Sequence, residues 1–156
     1  AEPILIDLVE ARLSFAQSLG IKHTINLNQQ PLFPAISDIA GSRMPEAVIE
    51  ASGANAAIRN TLDMVSFAGR IGFTGWPGKE TLLPTDVITR KELNIYGCRT
   101  SAGEFEEALD LLGSGKIHGA AIISKIIPLS DVPAYVQELS QHPDRYLKIV
   151  FKGDNV

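Results

Sequence analysis

The sequence predicts an α/β fold: a mostly parallel sheet with helices on both faces. Short apolar runs alternate with stretches of helical period along most of the chain, the pattern of a layered α/β domain. One stretch shows the repeating unit most clearly. Glu46-Ala-Val-Ile-Glu-Ala-Ser-Gly53 is followed by a segment with helical period, then by Gly69-Arg-Ile-Gly-Phe-Thr-Gly-Trp-Pro77. Two apolar runs flanking one helix make a strand–helix–strand unit with parallel strands. Both runs end in glycine and small polar residues, so the strand tips are free of bulk. In open parallel sheets ligands bind just beyond the C-terminal strand ends, and Ser52-Gly53 and Thr74-Gly75 occupy two of them.

The other elements follow in order. Residues 4–8 form an apolar run broken by Asp7. Val9, Leu13, Ala16 and Leu19 then lie near one helical face, and Gly20 supplies a stop. Residues 21–27 alternate as a strand (Ile21, His23, Ile25, Leu27), 28–34 form a loop, and 35–40 a short helix ended by Gly41. The helix after Gly53 carries Ile58, Leu62, Met64 and Val65 and ends at Gly69. After the 71–74 strand, Trp76-Pro77-Gly78 turns, and 81–83 is a short apolar segment stopped by Pro84. Residues 85–91 allow a helical turn or two, and 93–96 a strand running into Gly97-Cys98-Arg99. Ser101-x-x-Glu104 reads as a capping box, opening a helix with Phe105, Ala108, Leu109 and Leu112 on one face. Residues 122–128 are a strand. Ser130 caps a helix with Val132, Val136 and Leu139 inward, and 146–151 is a final strand. Sequential parallel strands require right-handed crossovers.

At 156 residues the chain suffices for one domain with a real core. A net charge of -4 with mixed signs gives no collective attraction to nucleic acid or to an anionic membrane. No apolar run is long enough to span a bilayer, and no basic n-region with an apolar h-region opens the chain. The single cysteine, Cys98, permits no internal disulfide, which fits a reducing cytoplasm. His23, His118 and His142 are scattered, and no Cys/His pattern offers metal ligands. Only three residues precede the first strand, as in a natural domain or in a truncated chain.

Several residues have a chemical reading beside a plain structural one. Asp7, at a strand end before a helix, is the residue type that holds adenosine-ribose hydroxyls in dinucleotide-binding folds. Such a carboxylate repels a 2′-phosphate and so selects NAD over NADP. Arg12, one turn on, can reach the same ribose. The alternative is a solvated acid and a surface arginine. At Ser52-Gly53 and at residues 72–75, glycine lets a flat ligand approach peptide N–H and C=O groups; the alternative is a tight turn that any strand–helix unit needs. Cys98-Arg99-Thr100 offers an arginine for a phosphate or substrate oxygen, or a surface arginine beside a small buried cysteine. Lys148 interrupts the last apolar run, either reaching solvent along its stem or meeting an anion. Neither Gly-x-Gly-x-x-Gly nor a Walker-type loop is present, and no general base is paired with a nucleophile, so no catalytic residue is assigned.

Taken in sequence, Ile6-Asp7-Leu8, Arg12-Leu13, Ala16, Leu19-Gly20, residues 46–53, residues 69–75, Lys91-Glu-Leu-Asn-Ile-Tyr-Gly-Cys-Arg99 and Leu147-Lys-Ile-Val-Phe151 resemble the zinc-type medium-chain alcohol/polyol dehydrogenases, closest to the sorbitol dehydrogenase branch. The resemblance implies a Rossmann-like coenzyme domain and NAD-linked oxidation of a small alcohol or polyol. It places Asp7 and Arg12 at the adenosine ribose and Ser52 and Gly53 beside the coenzyme. It places Thr74, Gly75 and Trp76 at the nicotinamide amide, Cys98, Arg99 and Thr100 at the nicotinamide ribose, and Lys148 toward the pyrophosphate. Thr81 to Leu83 resembles the edge segment through which family members pair as homo-oligomers. The family's catalytic domain, with its zinc ligands, is absent, as are the first Rossmann strand and its glycine-rich turn. The chain therefore reads as a single partial dinucleotide-binding domain over 1–156. Residues from about 122 to 156 would pack toward the missing catalytic domain. Losing a central strand would expose two sheet edges, and the isolated chain is expected to be inactive. Two competing readings are a non-catalytic association module without NAD binding and, well behind, an S-adenosylmethionine-dependent methyltransferase.

Overall fold

In the computed structural model, which describes residues 1–99, 101–142 and 144–153, strands and helices alternate in the expected order. They are β1 (Ile4–Asp7), α1 (Glu10–Ser18), β2 (His23–Asn26), α2 (Leu32–Ala40), β3 (Ala47–Glu50), α3 (Asn55–Met64) and β4 (Arg70–Phe73). Then come α4 (Thr85–Arg90), β5 (Asn94–Gly97), α5 (Phe105–Gly113), β6 (Ile123–Pro128), α6 (Val132–Gln141) and β7 (Lys148–Lys152), with single 3₁₀ turns flanking β6. The chain divides into two compact units: Ala1–Leu8 with Ile21–Ala102, and Val9–Gly20 with Gly103–Val156.

The first unit holds two parallel ladders, β1–β2 and β3–β4–β5. Register brings strand tips level: Asp7 pairs with Asn26, and Glu50 with Phe73, which pairs with Gly97. Among the described residues no ladder joins β1 to β3, so each is an end strand of its own sheet. These are the two unpaired edges that the sequence leads one to expect.

One core cluster centres on Val48, Leu62, Val65, Ile71 and Val87, a second on Ile25, Ala35 and Ile36, and Met64 packs against both. Burying each large side chain contributes about 1.5–3 kcal/mol. In β3 the two-residue period turns Val48 and Glu50 inward and leaves Ile49 76% exposed. The C-terminal end of α3 is closed by a distant side chain. Lys91 Nζ donates to the carbonyls of Leu62 (2.8 Å) and Val65 (2.5 Å), groups that a helix end leaves without partners.

In the second unit β6 pairs in parallel with β7, with a register irregularity between Ile123 and Lys125. On α6, Tyr146 Oη donates to Glu138 Oε1 at 3.0 Å, Arg145 donates to the same oxygen at 3.1 Å, and Tyr146 packs edge-on to Tyr135. The Lys125 ammonium donates to the Tyr135 hydroxyl.

Three local expectations are corrected. α5 begins at Phe105 with Glu104 at its N-cap and no side-chain cap bond, so the box from Ser101 does not open it. Gly103, at φ +119°, breaks the helical path between them. α6 is preceded by Asp131 rather than capped by Ser130, and Val136 is 60% exposed rather than inward. The Thr81–Leu83 segment, taken as a sheet edge, has no strand structure, and Leu82 is 81% exposed; Pro84, which lacks an N–H, closes it.

Candidate functional site

Three turns adjoin at the tips of β3, β4 and β5, and one residue ties the first two together. Glu50, the last residue of β3, is 5% exposed. Its Oε1 accepts from Ser52 N (2.8 Å), Ser52 Oγ (2.5 Å) and Gly53 N (3.1 Å), and Gly53 N also reaches Oε2 at 3.1 Å. The Glu50 main-chain carbonyl accepts from Thr74 N (2.8 Å), Thr74 Oγ1 (3.1 Å) and Gly75 N (2.9 Å). A buried carboxylate requires such partners. The two turns also touch directly: a β-carbon on Gly53, which has φ +70°, would collide with the Trp76 main chain.

Trp76 is 80% exposed, and the Arg99 guanidinium lies 5.4 Å from its ring centroid, within range of a cation–π contact. Cys98 N donates to Phe73 O at 2.9 Å, holding the β5 tip beside β4, and the Cys98 thiol is exposed. The small-buried-cysteine alternative therefore does not hold. A β-carbon on Gly97 would meet nothing within 4 Å, so the β5 tip opens onto free space.

At the other ladder Asp7 is half-buried, and its Oδ1 accepts from Leu8 N at 2.7 Å. Asn28 Nδ2 donates to Leu8 O (2.8 Å), while buried Asn26 accepts from Asn28 N (2.9 Å). These two asparagines fix the turn that follows Asp7.

The structure thus brings Ser52, Gly53, Thr74, Gly75, Trp76, Cys98 and Arg99 to adjoining strand tips of one unit, with Asp7 at the tip of that unit's second ladder. Arg12, in the first turn of α1, and exposed Lys148, at the start of β7, belong to the other unit. Thr100 lies outside the described residues. One expectation changes: the peptide N–H groups of Ser52, Gly53, Thr74 and Gly75 are already engaged by Glu50, so these four donors are not open to a ligand. Glu50 itself went unassigned from sequence. Its signal was there: an acid two and three residues before the amides of a Ser-Gly turn is placed to accept from both.

The model of the family described as zinc-binding dehydrogenase matches residues 1–114. The chain belongs to this family. A zinc-type alcohol dehydrogenase-like protein of Haemophilus influenzae, itself uncharacterized, is 55% identical over 96% of this chain and 44% of its own length. The D-xylulose reductase of Saccharomyces cerevisiae is 27% identical over 98% of this chain and 44% of its own length. The chain thus spans less than half of these relatives. Among solved structures, a short chain alcohol dehydrogenase from Escherichia coli CFT073 complexed with NADH superposes with a TM-score of 0.84 at 24% identity, over 94% of this chain and 43% of that one. The fold of the chain is accordingly Rossmann-like.

The family's metal finds no fit here. Among the described residues no three His, Cys, Asp or Glu side chains converge on a point that could hold a metal ion. No described helix is long and apolar enough to cross a membrane.

Proposed function

We propose that this chain is the coenzyme-binding part of an NAD(H)-dependent alcohol or polyol dehydrogenase of the zinc type. The observation that carries the reading is the set of parallel strand tips bearing Asp7, Ser52-Gly53, Thr74-Gly75-Trp76 and Cys98-Arg99. Crevices at such tips are where α/β sheets bind dinucleotides. The D-xylulose reductase relative and the NADH-bound structural neighbour support the same choice of chemistry.

In this reading Asp7 accepts hydrogen bonds from both adenosine-ribose hydroxyls. The Ser52-Gly53 turn lies beside the coenzyme. The turn at Thr74, Gly75 and Trp76 faces the nicotinamide amide, and Cys98 and Arg99 face the nicotinamide ribose. When bound, NAD supplies the hydride acceptor for oxidation of an alcohol to a carbonyl compound. The chain's own part is to bind and orient that coenzyme. Alone it is not expected to turn over alcohol, because its described residues bring no metal ligand set. We place the protein in the cytoplasm and assign it a homo-oligomeric state.

Calorimetric titration of the chain with NADH tests this. Saturable binding that weakens at least tenfold in Asp7→Ala is expected. Absence of saturable binding would leave the association-module reading in its place.

A further inference from the structure

We propose that Glu50 is a positioning residue for the coenzyme crevice, an inference that rests on the reading above. Its carboxylate and carbonyl clamp the turn after β3 to the turn after β4 and engage four of the pair's peptide donors in doing so. The argument is one of accounting for donors. Main-chain N–H groups of Ser52, Gly53, Thr74 and Gly75 all point to oxygens of this single residue, as do both hydroxyls of the two turns.

Anions bind at strand–helix turns when such N–H groups are open to them. Here a buried carboxylate already occupies that place, so the turn is closed to phosphate. A neutral group, such as a primary carboxamide or a ribose hydroxyl, suits a turn whose amides are engaged in this way. Close packing makes the clamp specific: a β-carbon on Gly75 would lie 2.5 Å from Glu50 Oε2 and 2.8 Å from Gly53 Cα. Only glycine at 75 lets the carboxylate and both turns share this space.

Glu50→Gln is nearly isosteric, but its amide NH₂ faces groups that are themselves donors. Titrating the full chain with NADH and separately with AMP distinguishes positioning from general support. NADH affinity is expected to fall at least tenfold in Glu50→Gln, with AMP affinity held within twofold. Equal loss of both ligands, or no loss of NADH, would overturn the proposal. Amide hydrogen exchange provides a readout that needs no ligand: the Ser52 and Gly53 amides should exchange at least tenfold faster in the variant. If wild type binds neither ligand the coenzyme reading fails, and unchanged exchange at those amides would separately refute the clamp. Ser52→Ala removes the hydroxyl that donates to Glu50 and accepts from Ala54 N, leaves the carboxylate in place, and serves if Glu50→Gln does not fold. Faster exchange at Gly53 supports the clamp in that background, and an unchanged rate there rejects it.

Discussion

Gly75 and Gly53 meet backbone to backbone: a β-carbon on residue 75 would stand 2.8 Å from the Gly53 Cα. Neither turn can yield without losing hydrogen bonds to Glu50. Gly75→Ala is therefore expected to destabilise the first unit by about 1–3 kcal/mol through overpacking. Gly53→Ala adds a left-handed backbone penalty of about 1–2 kcal/mol to its own collision with Trp76. Gly78→Ala is the control, because nothing lies within 4 Å of its added carbon; it should stay within about 0.5 kcal/mol. Urea unfolding followed by the fluorescence of Trp76, the chain's single tryptophan, measures all three.

Lys91 holds the end of α3 from 26 residues away in sequence. Lys91→Met keeps the aliphatic stem but removes the ammonium from the carbonyls of Leu62, Asp63 and Val65. Hydrogen bonds to a charged group are worth about 1.5–3 kcal/mol, and partial exposure of this one places the expected loss near the lower figure. A midpoint in urea indistinguishable from wild type would show that water replaces the ammonium at no cost.

The Glu138–Tyr146 contact makes a pH prediction for the second unit. The hydrogen bond from Tyr146 holds the Glu138 carboxyl below its ordinary value, and the same bond raises the Tyr146 phenol. The signs are opposite. The Glu138 contribution is present above the ordinary glutamate pKa and is lost as pH falls through the depressed value. The Tyr146 contribution is present below the ordinary tyrosine pKa and is lost as pH rises through the raised one. The pair therefore supports the fold across the neutral range and weakens at both extremes. In Tyr146→Phe, carbon-detected NMR titration should find the Glu138 midpoint moved upward; an unmoved midpoint would assign the depression to Arg145.

Asp7 carries a prediction about coenzyme choice. A carboxylate beside the ribose repels a 2′-phosphate, so wild type should prefer NADH to NADPH, and Asp7→Ala should narrow that preference by weakening NADH. Competitive titration reads the ratio directly. A ratio that does not change on substitution removes Asp7 from the ribose site.

Much of this architecture was legible in the chain itself. Val48 and Ile71 announce buried strands because apolar residues recur there between glycine-ended turns, and Ile58, Leu62 and Val65 announce α3 by their spacing. The two unpaired edges at β1 and β3 followed from the resemblance, through the strand it lacks. What stayed hidden depends on tertiary contacts. Glu50 looks like a polar end to an apolar run, and only the fold shows that it is buried and shared between two turns. Lys91 looks like a surface lysine until α3 is placed beside it. The start of α5 was misplaced because Ser101 and Glu104 have the spacing of a cap, whereas Gly103 takes a conformation that no helix accepts. For the site, strand tips could be read from glycine positions, but which peptide donors were already engaged could not.

The central claim, a coenzyme crevice at these strand tips, is tested most directly by amide NMR of the ¹⁵N-labelled chain during addition of NADH. The account predicts saturable shifts concentrated at Asp7, Ser52, Gly53, Thr74, Gly75 and Arg99, with little change elsewhere in the first unit. Shifts confined to other surfaces, or none at saturating coenzyme, would contradict it.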